Sequence, residues 1–274
     1  PQSQLAVVDF YRSYGNLICH YCQKSTVSLR SPRKPGSTYF IRGPQSDRNK
    51  FKSAGLETVD LENATSNPAT YFAYDGVPRA FRFFHSAEYM RLEKRYSVMY
   101  FTDISKCFNS IYTHTLYWAV ADTNTAKNNT SSISFSNAFD QLMQSMNYNE
   151  TNGICVGAEV SRIFAEVILS ETDKRVLEAM ARLKKKYRTD FEIRRYVDDY
   201  YVFAVDAATA KQVLACIELA LMDFNLHLSV AKTHEIPRPF ITEKSRLISD
   251  ANDSLERFFE KFVASDFGEH GRYA

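Results

Sequence analysis

The stretch Glu192-Ile-Arg-Arg-Tyr-Val-Asp-Asp-Tyr-Tyr-Val-Phe-Ala-Val205 decides how this chain of 274 residues folds. Two runs rich in β-branched and aromatic residues, Glu192–Tyr196 and Tyr200–Val205, flank Val197-Asp198-Asp199 and predict a hairpin with acids at its tip. An Asp-Asp pair alone is most simply a solvated turn. These flanks are too apolar for an exposed turn, so we expect the acids at a sheet end near a core. Adjacent carboxylates raise each other's pKa, and a divalent cation such as Mg²⁺ removes that cost.

A second acid ends another predicted strand. Residues Tyr96–Asp103 are β-branched and aromatic, and Ile104-Ser-Lys-Cys-Phe108 follows them. A carboxylate in this place can bind metal ions. The backbone amides after it can bind a triphosphate, and the ring of Phe108 can pack beneath the sugar of a nucleotide. Two-metal catalysis needs carboxylates from two separate elements, which hold the ions about 3.5–4 Å apart. Asp103 and Asp198 can supply them.

The remaining pattern mixes helices and strands without regular alternation. Loops with short strands are predicted for residues 30–78, a loop for 121–136 and a further strand for His227–Val230. Apolar residues at helical spacing predict helices over 5–14, 137–146, 160–183, 207–224 and 249–262. Such an order is typical of an α+β fold with helices packed against one sheet face.

Composition excludes several classes of protein. With 45% hydrophobic residues the chain is not wholly disordered, and no apolar run reaches the roughly 18 residues of a membrane span. The net charge of +2 does not by itself indicate a nucleic-acid partner. Seven basic residues and one acid between Arg30 and Lys52 predict a basic loop suited to phosphates, with a solvated face as the alternative. Five scattered cysteines indicate a reducing compartment, and Cys19-His-Tyr-Cys22 lacks the second pair that structural zinc needs.

Four motifs in order resemble the palm of reverse transcriptases. Tyr196-Val-Asp-Asp199 is similar to the family's Tyr-x-Asp-Asp box, and Phe101-Thr-Asp103 with Phe108 to its first carboxylate motif. The other two are Asn152-Gly153 with Gly157-Ala158, where the family commonly has Gln-Gly and Ser-Pro, and Leu228-Ser-Val-Ala-Lys232-Thr233. The sequence differs from the family's motif at Asn152 and at Gly157-Ala158. These differences put ordinary positioning of a template in question.

Three further segments resemble sequences of the bacterial antiphage defence and abortive-infection branch of the family. They are residues 103–116, Val160-Ser-Arg-Ile-Phe-Ala-Glu166 and Arg238-Pro-Phe-Ile-Thr242. Some enzymes of that branch act like terminal transferases and prime on their own tyrosine. The resemblance therefore implies either templated DNA synthesis or an untemplated, protein-primed form of it.

The resemblance implies an α+β right-hand polymerase, with fingers and an antiparallel palm sheet backed by helices. The implied domains are fingers 1–95 with the basic loop 30–52, palm 96–120, a fingers or connecting segment 121–152, palm 153–240, and the start of a thumb or helical module at 241–274. The implied catalytic residues are Asp103, Asp198, Asp199 and Lys232. Metal binding is expected at Asp103, Ile104, Asp198 and Asp199, with two Mg²⁺ ions or Mn²⁺. Nucleotide binding is expected at Arg79, Arg82, Ser105, Lys106, Cys107, Phe108, Asn152 and Gly153.

Lys232 is interpreted as a general acid for pyrophosphate, and a solvated lysine is the alternative. The other partners expected are a deoxynucleoside triphosphate and an RNA template or DNA product. A second copy or a defence partner protein is possible, and no membrane is expected. The implied location is the bacterial cytoplasm.

Two rival functions remain at this stage. An RNA-dependent RNA polymerase carries a second Asp after the first to read the ribose hydroxyl, whereas this chain has Phe108. A catalytically silent palm would only hold nucleic acid, and it would have no need of clustered acids. Arg162 and Glu166, four residues apart, are expected to pair on a helix surface.

Overall fold

The computed structural model describes residues 2–36, 70–77, 79–120, 134–240 and 243–262. Most of the basic loop, including Arg42, Arg48, Lys50 and Lys52, lies outside the described residues. The described elements are, in order, α1 (Gln2–Cys22), β1 (Arg30–Pro35), β2 (Phe72–Gly76), α2 (Ala80–Phe84), α3 (Ala87–Arg95), β3 (Val98–Asp103), α4 (Cys107–Ser110), α5 (Leu116–Val120), α6 (Phe135–Met146), α7 (Glu159–Arg182), β4 (Phe191–Tyr196), β5 (Asp199–Ala204), α8 (Ala207–Met222), β6 (His234–Pro237) and α9 (Glu243–Phe262).

The centre of the fold is an antiparallel sheet of four strands in the order β4-β5-β3-β6, which we call the palm sheet. Strands β4 and β5 form the predicted hairpin, and β3 lies beside β5 with Asp103 opposite Asp199. The period-two alternation of side chains sends Tyr200 and Val202 into one core and Tyr201 and Phe203 into another. The predicted α+β class and the antiparallel sheet backed by helices are confirmed.

The two faces of the palm sheet are covered unequally. Helices α7, α8 and α1 build the larger core, in which Phe164, Ile168 and Ile217 are fully buried. The opposite face carries a smaller aromatic cluster, to which α2 contributes Phe83 and α3 contributes Tyr89. In the described part of the chain, α2 and α3 pack on this second face, and at the sheet end Asp198 and Asp199 are half-buried while Asp103 is buried.

Two predicted segments differ in the structure. The strand expected at His227–Val230 is wrong: Leu228 makes only an isolated bridge to Ile104, a 3₁₀ turn covers Val230–Lys232, and the fourth strand is β6. Strand β6 has mostly exposed side chains, so backbone pairing with β3 rather than an apolar pattern defines it. The start of the basic stretch, Arg30–Pro35, is strand β1 and pairs with β2 instead of forming a loop.

The segment before β1 pairs with the outer edge of β4 at Arg195. Arg195 N donates to the carbonyl of Val27 (3.0 Å), and Leu29 N donates to the carbonyl of Arg195 (2.7 Å). Val77 N, after β2, donates to the carbonyl of Leu29 (2.8 Å). Gly76 makes this approach possible, because its φ is +87° and a Cβ there would lie 2.1 Å from the Leu29 oxygen.

The cysteines carry no disulfide. Cys19 and Cys22 lie buried in α1 with free thiols, and Cys107, Cys155 and Cys216 are also free. Burial raises the pKa of Cys19 to about 11, so the thiol stays protonated and behaves as a core residue. Among the described residues, no helix combines the length and apolar character needed to cross a membrane.

Candidate active site

The acids lie on a two-residue turn between β4 and β5. Tyr196 pairs with Asp199, which leaves Val197 and Asp198 as the two central residues. Val197 has φ +59°, a left-handed conformation that is a real outlier for a β-branched side chain. Hairpin turns of this kind normally have Gly at such a position, so this turn is held in shape by its surroundings.

Asp103 reaches the same sheet end from β3. In register it lies directly opposite Asp199, and opposed side chains of antiparallel strands point to the same face. Ile104 N donates to the carbonyl of Asp198 (3.1 Å), and Ser229 N donates to the carbonyl of Asp103 (2.8 Å). These hydrogen bonds tie the acidic turn, the end of β3 and the segment before β6 together.

Burial of the acids has a clear electrostatic result. Burial raises the pKa of Asp198 above its ordinary value, and the nearby charge of Asp103 raises it further. Lys232 donates to Asp103 Oδ2, and this hydrogen bond raises the pKa of Lys232. Asp103 Oδ1 is buried and accepts no hydrogen bond from any residue that the structure describes. A buried carboxylate oxygen without a donor has room for a partner such as an ordered water or a cation.

The available ligands fit an ion such as Mg²⁺, whose coordination shell is completed by substrate. The described part of the chain contains no group of three or more His, Cys, Asp and Glu side chains arranged to hold a metal by themselves. Mg²⁺ usually binds through one or two carboxylates, and substrate phosphates and water supply its other ligands. Asp103 and Asp198 would be those carboxylates, with Asp199 beside them.

Comparison with known proteins places the chain in a family. Residues 52–242 match the family model described as reverse transcriptase (RNA-dependent DNA polymerase), which is more than half of the chain. The chain belongs to the reverse transcriptase family. The family's enzymes are RNA-directed DNA polymerases, a class of nucleotidyltransferases that bind nucleic acid and nucleotides and use divalent metals.

Solved structures similar to this reverse transcriptase domain include telomerases of two yeasts. Telomerase of Candida albicans, solved with a TWJ fragment of telomeric RNA, is 12% identical with a TM-score of 0.42, over 61% of this chain and 31% of that one. Apo telomerase of Candida tropicalis truncated from its C-terminal domain is 18% identical with a TM-score of 0.41, over 58% and 35%. The chain thus spans about a third of the length of these telomerases. No curated protein matches it by sequence.

The nucleotide-binding residues predicted after Asp103 form one connected surface of the reverse transcriptase domain. Ser105 and Lys106 are exposed, Lys106 has φ +47° at the start of α4, and Phe108 is half-buried against the larger core. Cys107 is buried, and burial raises the pKa of its thiol to about 12, so the thiol stays protonated in the core. Its assignment to nucleotide binding stays a prediction.

The segment with Asn152 and Gly153 lies against this surface. Gly153 N donates to the carbonyl of Ile111 (2.8 Å), and Ile154 N donates to the carbonyl of Phe108 (2.8 Å). Gly153 has φ +85°, and a Cβ there would approach the carbonyl of Asn109 to 3.2 Å. The structure therefore brings these two predicted motifs together, while Asn152 stays exposed.

Arg79 and Arg82 are not joined to the acids. Both side chains are exposed at α2, and neither makes a side-chain hydrogen bond or ion pair to another residue that the structure describes. Their assignment to the triphosphate stays a prediction. Helix α2 does lie on the face of the palm sheet that carries Asp199, because Phe84 contacts the ring of Tyr201 at 5.3 Å between centroids.

Sequence reasoning missed the buried charges behind the turn. The expected surface pair of Arg162 and Glu166 is wrong, because Glu166 is 4% exposed and binds Arg195. Arg162 instead contacts Glu159 and the ring of Tyr74. A helical stripe of apolar residues gives no sign that a carboxylate shares the buried face, and only the Arg directly before the Tyr-x-Asp-Asp box signals a buried partner.

Proposed function

We propose that this protein synthesises DNA from deoxynucleoside triphosphates on the site formed by Asp103, Asp198 and Asp199. The observation that supports this most is the register of Asp103 with Asp199 at the end of the palm sheet, with the orphaned oxygen Asp103 Oδ1 in the same place. In the reaction, a primer hydroxyl attacks the α-phosphate of the nucleotide, and pyrophosphate leaves.

Each residue then has a stated task. Asp103 and Asp198 would hold two divalent ions, Mg²⁺ or Mn²⁺, which when bound stabilise the attacking and leaving oxygens. The exposed backbone at Ser105 and Lys106 would contact the triphosphate. Lys232 is protonated at neutral pH, like any lysine, and can donate a proton to the departing pyrophosphate.

We assign the chain's regions on the same basis. Residues 1–95 are proposed as fingers, 96–120 and 153–240 as palm, 121–152 as a fingers or connecting segment, and 241–274 as the start of a thumb or helical module. The position of β3, β4, β5 and β6 in one sheet supports the two palm ranges. Arg79 and Arg82, in the fingers, are proposed to contact the incoming triphosphate.

The motif wording supports a narrower biological role. Residues 103–116, Val160–Glu166 and Arg238–Thr242 are similar to the bacterial antiphage branch, so we propose defence against phage in the bacterial cytoplasm as the setting. A second copy or a defence protein would be a partner in that setting. The departures at Asn152 and Gly157-Ala158 favour a test of untemplated, protein-primed synthesis beside templated synthesis.

The test measures deoxynucleotide incorporation by the purified protein with Mg²⁺, with and without an RNA template and primer. Asp103→Asn and Asp198→Asn are each expected to lower incorporation by about 10³-fold, since several kcal/mol of transition-state stabilisation is lost. Asp223→Asn is the matched control, because Asp223 is an exposed Asp that pairs with Arg175 away from the site.

Three results decide between the candidates. Incorporation only with template supports a templated polymerase, and sequence-independent products without template, attached to protein, support the protein-primed form. Wild-type protein that binds nucleic acid but incorporates nothing under either condition would establish a silent palm and overturn the proposal.

A further inference from the structure

The side chain of Arg195 lies behind the acidic turn and is fully buried. It comes from the last residue but one of β4, directly before Tyr196. Its NH1 and NH2 groups donate to Glu166 at 2.9 and 3.1 Å, and its Nε and NH2 groups donate to Asp173 at 3.0 and 2.8 Å. Both acids project from α7 and are buried.

The surroundings satisfy this charge cluster. Tyr200 Oη and Ser25 Oγ both donate to Asp173, at 2.9 and 3.0 Å, and Ser170 Oγ contacts Glu166 at 3.4 Å. The two carboxylates together raise the pKa of Arg195 well above its ordinary value, against the opposing effect of burial. A buried cation with two buried anions is expensive to desolvate, and apolar residues of similar volume often serve stability as well. Stability alone is therefore a weak reason for the cluster.

One contact of Arg195 leads to the active site. Its NH1 group also donates to the carbonyl oxygen of Val197 at 2.9 Å. That carbonyl belongs to the peptide bond between Val197 and Asp198, and Val197 is the residue with φ +59°. A non-glycine residue persists in such a conformation only where its surroundings over-determine it.

We propose that Arg195 is a positioning residue, which α7 fixes through Glu166 and Asp173 so that it holds the Val197–Asp198 peptide in the orientation needed at the active site. The role of Asp198 in this statement rests on the proposed function, whereas the effect of Arg195 on the turn does not. The cluster restricts the guanidinium to one orientation, because four of its donor contacts go to α7 and one donor remains for the turn.

Arg194 provides a matched control in the same strand. It is 5% exposed and donates to Glu88 and Glu192 at 2.7 and 2.8 Å, so it is also a nearly buried, paired arginine. Its remaining contacts are with Tyr187 and the carbonyl of Ile193, and none reaches the turn. Replacement of either arginine by Lys removes a comparable set of ion pairs.

The experiment is a double-mutant cycle between Arg195→Lys and Val197→Gly, with Arg194→Lys in place of Arg195→Lys as the control cycle. The first measurement is amide hydrogen exchange in metal-free protein. Its result is expressed as an exchange ratio, which is the exchange rate of the Ile104 amide divided by that of an amide in the middle of β5. Ile104 N–H binds the carbonyl of Asp198 and so reports on the turn, and the ratio removes the effect of global unfolding. The second measurement is Mn²⁺ affinity by electron paramagnetic resonance.

Arg195→Lys is expected to raise the exchange ratio by about tenfold and to weaken Mn²⁺ binding by a similar factor, because the Val197 carbonyl loses the guanidinium donor that holds it. Adding Val197→Gly is expected to restore both values to within about threefold of wild type, because glycine adopts positive φ without strain. Arg194→Lys is expected to lower the melting temperature and to leave both values unchanged, with or without Val197→Gly.

Two other results overturn the proposal. If Arg195→Lys does not differ from Arg194→Lys in exchange ratio, or if Val197→Gly gives no rescue, Arg195 is a structural residue only. If wild-type protein binds no Mn²⁺ and the exchange arm behaves as expected, the proposed function fails and the positioning of the turn stands.

Discussion

Phe108 is the residue on which the choice of sugar depends. Its side chain is half-buried against the larger core, and its carbonyl is fixed by Ile154 N. A flat ring five residues after Asp103 can press on C2′ of an incoming sugar, where the extra hydroxyl of ribose would clash. A closely packed side chain moves little, so such a ring can exclude a ribonucleotide effectively.

Phe108→Ala is expected to raise ribonucleotide incorporation relative to deoxynucleotide incorporation by about tenfold or more. Deoxynucleotide use is expected to fall only moderately. The two rates are measured side by side with the melting temperature. If the ratio of ribonucleotide to deoxynucleotide incorporation is unchanged and the melting temperature falls, Phe108 is a core residue and does not select the sugar.

Lys232 gives a second prediction at the same scale. It is in contact with Asp103, and this hydrogen bond raises the pKa of Lys232, so the side chain is a cation at neutral and mildly alkaline pH. Lys232→Met is expected to lower kcat by about 10²-fold, because general acid catalysis is typically worth that much or more. Lys232→Arg keeps a cation and its hydrogen bond but gives up its proton less readily. Equal kcat in Met and wild-type proteins would assign Lys232 to the solvated surface.

At the scale of single elements, helix α8 shows how local chemistry defines an end. Asp206 is its N-cap, and its carboxylate accepts from Thr209 N at 2.6 Å. This hydrogen bond lowers the pKa of Asp206. A carboxyl with a lowered folded-state pKa contributes stability above its unfolded pKa and loses it as the pH falls through the folded pKa.

Asp206→Ala is expected to cost about 1 kcal/mol of unfolding free energy at neutral pH. The difference from wild type is expected to shrink as the pH falls through the lowered pKa of Asp206. Ser134→Ala is the control, because Ser134 caps α6 through a hydroxyl that does not titrate in this range. Urea unfolding at several pH values measures both, and a pH-independent cost for Asp206→Ala would contradict the assignment.

The elements also show where sequence reasoning works. The hairpin β4–β5 was predictable because two β-rich runs flank a short acidic turn, and α7 because its apolar stripe is long. The position of β6 was not, since its exposed His234–Pro237 carries no apolar pattern and is defined by pairing with β3. The partners of Glu166 and Asp173 were not predictable either, because burial of a charge depends on Arg195, which arrives from a distant strand.

At the scale of the whole molecule, the distribution of positive charge decides how a nucleic acid would approach. Arg33 is exposed on β1, and Lys34 beside it is half-buried, whereas Lys184 and Lys186 are exposed beyond the end of α7. The β1–β2 sheet contacts Tyr196, the last residue of β4, because Arg30 donates to Tyr196 Oη at 3.2 Å. A phosphate backbone that runs along β1 would therefore pass the residue that precedes the acidic turn.

Arg33→Ala with Lys34→Ala is expected to weaken nucleic-acid binding and to lower the slope of log affinity against log salt by about one to two units. Lys184→Ala with Lys186→Ala removes the same charge and is expected to leave the slope unchanged. Fluorescence anisotropy over a salt series measures both pairs. Equal slopes for both double variants and wild type would assign the β1 residues to a solvated face.

The pairing at the outer edge of β4 has a consequence for self-association. An uncovered outer strand offers unpaired backbone groups on which another chain can add, and this is a common start of fibril growth. Val27 and Leu29 already occupy the outward backbone N–H and C=O of Arg195 on β4. On the other side, β6 ends in Pro237, which has no N–H to donate, and carries the exposed charge of Glu235. Both edges of the palm sheet thus carry a feature that opposes edge-to-edge growth, and concentrated protein is expected to remain free of cross-β aggregates.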